Sequence, residues 1–432
     1  MAEATVNSGA PSGDHTSSRL LFIASCISLI ATAMAFAIRG DIIGDLERHF
    51  MLDPVQKGWV NGAWAWGFAG AILFGGPICD LLGMRRIMYM AFCCHAGGSL
   101  LMIFAGSFGV LFMGTLVVGL GNGLVEAAIN PLVATLYPKQ KTARLNALHA
   151  WFPGGIVIGG VLCFVLSTML GASDPEVVSE VQVAGVTMML WQLKQGVLLI
   201  PMLVYAVMIF TQRFPATERV AAGISTRAMY KEALRPLFLT FLFCMMCTAS
   251  TELIPGGWIS DIMKNTLAGM ANAGILVLVW INLVMCIGRF FAGPLAHAIK
   301  PTGIVLAGSA VSIVGLLLLS GANSIVAAFF AATVFGLGVC FFWPTMLGIT
   351  TERFPKGGAL LLAMMGASGN IGVAIANPIF GEIIKETGDQ RYALKCLVVF
   401  PIFLVFVFGS IVLRDKARGG YRAEELSAGS GR

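Results

Sequence analysis

GLGNGLVEAAINPLVATLYP, residues Gly119 to Pro138, is apolar enough to cross a bilayer yet carries Glu126 near its centre. A carboxylate at membrane depth is costly, so it usually lines a polar cavity or a proton path. Asn122, Glu126 and Asn130 follow one another at four-residue intervals, so a helix puts them on one face. Gly119 and Gly123 lie beside that stripe and permit close approach of a neighbouring helix. The next apolar segment opens with LNALHAWFPGG, where Asn146 and His149 share a face. The plain structural alternative for Glu126 is a hydrogen-bonded acid between helices.

The rest of the chain places this stretch in a membrane. Of 432 residues, 57% are hydrophobic and 12% are charged, about half the charge of a soluble domain. Long apolar runs recur from end to end, which predicts a polytopic helical membrane protein. The alternating strands of a membrane β-barrel are absent from the pattern. The net charge of +6 comes from basic residues scattered at helix ends, so no nucleic-acid partner is expected. The ten cysteines sit almost entirely inside apolar runs, where they behave as small hydrophobes. Cys244 and Cys247 have a C-x-x-C spacing without the second ligand pair of a zinc site, so no metal is expected.

Outward from Glu126, twelve spans are expected. The first runs from about Arg19 to Gly44 and holds Arg39 and Asp41 near its end. Asp41 is either half of an interfacial ion pair or a second acid in the cavity. The second ends in GGPICDLLGMRR, with Gly76, Asp80, Gly83, Arg85 and Arg86 in a G-x-x-x-D-x-x-G-x-R-R spacing. Its glycines suit a tight turn between helices, and its charges can hold loop and helix ends together. An acidic loop with Asp174, Glu176 and Glu180 follows the fifth span.

The second half repeats the first. Gly293 lies 217 residues after Gly76, with His297 in the place of Asp80, and Gly336 lies 217 residues after Gly119. One offset for two motifs argues for an internal duplication of six helices. Glu126 then falls opposite Trp343, so the acid belongs to one half only. The predicted divisions are a disordered N-terminus 1–18, a six-helix bundle 19–211, a linker 212–235, a second bundle 236–414 and a basic tail 415–432. Lysine and arginine crowd the loops on the side of the linker and both termini, which makes that side cytoplasmic. The expected setting is the cell (inner or plasma) membrane.

Two six-helix halves with the Gly76–Arg86 motif resemble the major facilitator superfamily of transporters. More narrowly, GLVEAAINPLVATLYP followed by LNALHAWFPGGIVIGG resembles the fucose:proton symporter family. That family has a fourth-helix glutamate shortly before Asn-Pro, a fifth helix opening with Asn-x-x-His, and a first-helix aspartate that falls on Asp41. The resemblance implies proton-driven transport of a sugar, with Asp41 and Glu126 handling the proton and binding hydroxyls. Arg39 beside Asp41 and Glu252 in the seventh span depart from that pattern, so a charged or amine-bearing solute stays open.

The remaining polar and aromatic residues at span depth are Glu252, Trp280, Asn282, Trp343, Asn370 and Asn377. Together with Asn122, Glu126, Asn130, Asn146 and His149, all but Asn377 are expected to bind solute. Trp280, Asn282, Trp343, Asn370 and Asn377 are each individually better explained as packing or helix glue. Arg289, one turn before Gly293, is expected in the cytoplasmic gate with Gly76, Asp80, Gly83, Arg85, Arg86 and His297. There is no P-loop and no H-E-x-x-H pair, so no enzyme and no cofactor is expected, with the proton as coupling ion. A solute sensor and an exporter of drugs or lipids are the rival readings, and a monomer is expected.

Overall fold

The computed structural model describes residues 17–52, 54–170, 179–183, 185–221, 223, 225–264 and 273–424. The N-terminal segment up to residue 16, Asp174, Glu176, the end of the tail and the side chain of His297 lie outside the described residues.

Eleven helices among the described residues are long and apolar enough to cross a membrane. In order they are Ser18–His49, Gly62–Leu82, Met84–Ile103, Phe108–Leu136, Lys141–Met169, Leu190–Thr211, Pro236–Ile259, Ala298–Gly321, Ile325–Arg353, Pro355–Thr387 and Gln390–Ala417. A shorter apolar helix, Leu276–Arg289, stands between the seventh and the next, as the eighth of twelve. The organising stretch is thus the second part of a longer fourth span, and the first span runs five residues past Gly44. Among the described residues one short antiparallel hairpin, Glu180–Val183 with Val186–Met189, stands between the helices. Glu180 of the acidic loop belongs to it.

Local chemistry sets the helix ends. Ser17, Ser107 and Ser324 each cap a span by accepting from the backbone N–H three residues on. Ser107 and Ser324 open the fourth and tenth spans and stand 217 residues apart, a third point of register between the halves. Gly83, at φ 84°, makes the turn between the second and third spans. Gly76 does something else. It lies inside a continuous helix, Pro54–Leu82, and its bare Cα faces Ala359 and Ala363 of the eleventh span. It permits helices to touch rather than turn.

In the first half the second and third spans pack on the fourth, and the first on the fifth. In the second half the ninth packs on the tenth and the seventh on the eleventh. The halves meet where the second span lies along the eleventh and the fifth along the eighth. Gly119 and Gly123 fit against Trp64, Phe68 and Ala71 of the second span.

Two spans are broken near the seam, for one reason. The fifth splits into Lys141–His149 and Trp151–Met169, and the tenth into Ile325–Val339 and Phe342–Arg353. Pro153 and Pro344 lack the N–H that the carbonyls of His149 and Cys340 would accept. Each break therefore exposes a strong acceptor inside the protein.

Candidate functional site

A buried polar chain crosses the seam at these breaks. Glu126 is 3% exposed, and its Oε2 accepts from Asn130 Nδ2 at 2.7 Å. The same Nδ2 donates to the Glu126 carbonyl at 2.9 Å, ordinary back-bonding across one helical turn. That leaves Asn130 Oδ1 facing His149, whose Nε2 lies 2.9 Å away and must donate, since the amide oxygen only accepts. The His149 ring is 3.9 Å from the carboxylate itself.

The other end of His149 joins the second half. Its carbonyl, freed by Pro153, accepts from Arg289 at 2.7 Å. The Cys340 carbonyl, freed by Pro344, accepts from the Arg289 Nε at 2.5 Å. The remaining guanidinium nitrogen pairs with Glu252 Oε1 at 2.7 Å. Arg289 is 2% exposed and uses all three nitrogens. A guanidinium is suited to this because its planar fork engages several acceptors at once. Arg289, expected in the gate, thus sits in the buried seam, in one network with Glu252 and His149.

Asp41 pairs with Lys194 of the sixth span at 2.5 Å, and Lys194 is 4% exposed. Nothing in the sequence analysis singled out Lys194. The signal was a lone lysine early in an apolar run, WQLKQGVLLI. Arg39 lies beside the rings of Trp64 and Phe36, at 4.8 and 5.4 Å from their centroids.

Several of the residues expected to contact solute have hydrogen-bond partners within the fold. Asn122 bonds through Oδ1 to His95 Nε2 at 2.7 Å, and His95 Nδ1 lies 3.0 Å from the Tyr205 hydroxyl, so Asn122 faces the third and sixth spans. Eight residues of helix rotate a side chain about 80° away from exact register, enough to part Asn122 from Asn130. Trp280 donates to Thr333 Oγ1 at 2.8 Å and packs on Phe329 of the tenth span. Asn282 and Asn370 donate to their own helices, at Leu278 and Gly366. Asn146 donates to the Thr142 carbonyl and reaches Thr345 Oγ1 at 3.4 Å across the seam. The Trp343 ring lies over Gly366 and Gly369 of the eleventh span, where a Cβ at Gly369 would meet it at 2.7 Å. Trp258 Nε1 bonds Asn377 Oδ1 at 3.0 Å.

At the linker face the seam is closed. Thr142 donates to Glu352 Oε1 from the opposite half. Tyr421 of the tail donates to Glu352 Oε2 at 2.6 Å, and the Glu424 N–H bonds the Glu352 carbonyl at 2.8 Å. Burial, and then the charge of Glu352, hold the Tyr421 phenol well above its ordinary range, so it stays a donor. Arg235 of the linker pairs with Glu424 at 3.0 Å.

The linker is part of this closure. Thr217 donates to Asp80 Oδ1 at 2.6 Å, and Glu218 pairs with Lys141 at 2.7 Å. The Glu218 N–H donates to Thr135 Oγ1 at 3.1 Å. Arg85 caps the sixth span through the Phe210 carbonyl at 2.8 Å, and Arg86 is exposed.

The family model of the Major Facilitator Superfamily matches residues 20–301. The structure is similar to the Escherichia coli fucose:proton symporter FucP, with TM-score 0.72 and 16% identity, over 91% of this chain and 99% of that one. It is similar to the proton:xylose symporter XylE at TM-score 0.72 and 12% identity, over 92% of this chain and 97% of that one. By sequence, the 3-(3-hydroxy-phenyl)propionate transporter of Escherichia coli (strain K12) is 26% identical over 155 residues, covering 34% of this chain and 38% of the relative. The chain spans less than half the length of the curated relatives it matches.

Proposed function

The chain belongs to the Major Facilitator Superfamily, and we propose that it is a proton-coupled symporter of a small polar solute, of the sugar class, working by alternating access. The observation that carries this reading is the hydrogen-bonded path Glu126–Asn130–His149, whose last member is held by Arg289 of the other half. Of the two buried acids among the described residues, Glu252 is answered by Arg289, while Glu126 is answered by an amide and an imidazole. A carboxyl placed so can exchange its proton with whichever side the seam opens to. Because His149 touches both the acid's partner and Arg289, a change at Glu126 is felt at the seam.

In this reading Trp343 supplies a ring for the C–H face of a solute, and Glu126, Asn130 and His149 supply polar partners. Asp41, held by Lys194, positions the first span. The Gly76–Arg86 motif, with Thr217, Glu218 and Glu352, forms the cytoplasmic gate. The linker and both ends of a monomeric chain then face the cytoplasm, in the cell membrane. Likeness to FucP and XylE lends weight to protons and sugars.

Proteoliposome transport tests it. Wild-type protein should accumulate a sugar when the pH gradient points inward. Glu126→Gln should exchange the solute across the membrane but fail to concentrate it. Undiminished uphill uptake by Glu126→Gln would remove Glu126 from the coupling role.

A further inference from the structure

The linker ends in a short helix, Thr226–Ala233, capped by Ser225, whose side chain accepts from the Ala228 N–H at 3.2 Å. Only Leu234 and Arg235 separate this helix from Pro236, where the seventh span begins. Connectivity therefore holds it at the water–lipid boundary on the linker side. The helix is strongly amphipathic, and its two faces do different things. Met229 and Ala233, one turn apart, are buried, and the helix packs on the turn Pro355–Gly357 and on the eleventh span.

The other face carries Arg227, Tyr230, Lys231 and Leu234, at the i, i+3, i+4, i+7 spacing of a single helical stripe. All four are exposed, Tyr230 at 51% and Leu234 at 74%, and together they line one open groove. Two large apolar groups beside two cations suit a membrane surface: the ring and the leucine enter the headgroup region, and the cations reach the phosphates. Nearby acids do not cancel this charge. Glu232 of the same helix and Glu424 of the tail both pair with Arg235, at 2.8 and 3.0 Å. Among the described residues no ion pair uses Arg227 or Lys231. The exposed surface continues onto the seventh span at Leu239 and Phe243, so the stripe borders the lipid-facing side of that span.

We infer that Arg227, Tyr230, Lys231 and Leu234 form a docking surface for the headgroups of anionic phospholipids in the leaflet on the linker side. The Arg227 fork and the Lys231 ammonium engage lipid phosphates, one as a planar pair of donors and the other as a point charge. Because Met229 and Ala233 seat the same helix on the turn between the tenth and eleventh spans, the leaflet holds that turn as well. The inference is independent of which solute is carried and of what drives it.

The test follows hydrogen exchange across residues 225–235 of the full chain in phosphatidylcholine nanodiscs, with and without phosphatidylglycerol. Phosphatidylglycerol should slow exchange in this segment by restraining its local opening, and high salt should restore the faster rate. A cation near an anionic surface contributes roughly fivefold to binding. Arg227→Gln or Lys231→Gln alone should therefore raise the half-protecting fraction of phosphatidylglycerol by about that factor, and the double variant should lose the protection. Arg227→Lys should keep most of it, since the charge is retained, and Leu234→Ser should lose part. Equal protection in phosphatidylcholine alone would mean that another part of the chain or a second copy covers this face, and would overturn the inference. Undiminished protection in the double variant would place the lipid elsewhere and overturn it too. Free glycerol phosphate added to phosphatidylcholine nanodiscs should leave the segment unprotected; protection by it would replace the lipid surface with a site for a soluble phosphate.

Discussion

The carbonyl of His149 accepts a hydrogen bond from Arg289 at 2.7 Å, joining the fifth span of one half to the eighth span of the other. The bond exists because Pro153 cannot supply the N–H that would otherwise occupy that carbonyl. The same logic at Pro344 provides the Cys340 carbonyl. Two prolines on different halves thus prepare two acceptors for one guanidinium, and Glu252 supplies the balancing charge.

Removing one partner of this buried pair should be far worse than removing both. Arg289→Met leaves Glu252 charged and buried, a loss of about 3–5 kcal/mol. The double variant Arg289→Met with Glu252→Gln should recover a large part of it. Thermal unfolding of the two single variants and the double variant closes the cycle; strict additivity would mean that the two side chains do not depend on each other.

Pro153→Ala restores an N–H opposite the His149 carbonyl and lets the fifth span close its own hydrogen bond. Arg289 then loses one acceptor while the core stays filled. Thermal stability should hold or rise, and the rate of proton-driven uptake should fall. An unchanged uptake rate would show that the Arg289–His149 contact plays no part in the transport cycle.

Closure at the linker face depends on the absence of a side chain at Gly76. A Cβ there meets Ala363 and lies 2.8 Å from the Ala359 carbonyl oxygen. Gly76→Val should therefore force the second and eleventh spans apart, at a cost of about 1–3 kcal/mol to the closed arrangement. Cysteine labelling from the linker side at positions near Thr135 should become faster. Labelling at the wild-type rate would place the closure elsewhere.

Glu352 holds both Thr142 of the first half and Tyr421 of the tail. Thr142→Val and Tyr421→Phe each remove one donor from it and should each weaken closure. A hydrogen bond to a charged group contributes about 1.5–3 kcal/mol, so a several-fold rise in linker-side labelling is expected from either change. Asp80→Asn should act in the same direction through Thr217, and a lower labelling rate in any of the three would reverse the assignment of this cluster as a latch.

Much of this protein is set by local sequence. Apolar runs of span length have to become helices, since a bilayer leaves no other partner for the backbone. The 217-residue offset, the serine caps and the positions of Pro153 and Pro344 can all be read along one strand of text. So can the isolated acid at Glu126 and its neighbour Asn130, because one helical turn brings them together whatever surrounds the helix. What only the tertiary structure decided is which side chain from a distant helix completes each group. Helical phase gives the direction in which a side chain leaves its axis but not the neighbour it meets. Asn122 shares an approximate stripe with Asn130 yet meets His95, while Asn130 meets His149. Lys194 carries no sequence signal beyond a lone lysine in an apolar run, and its partner is given only when the sixth span is laid against Asp41. Arg289 reads as a gate residue from its nearness to Gly293, until packing of the eighth helix between two broken ones brings it to Glu252. Pairing of buried charges is a long-range property, since each member is tolerable only with its partner in place.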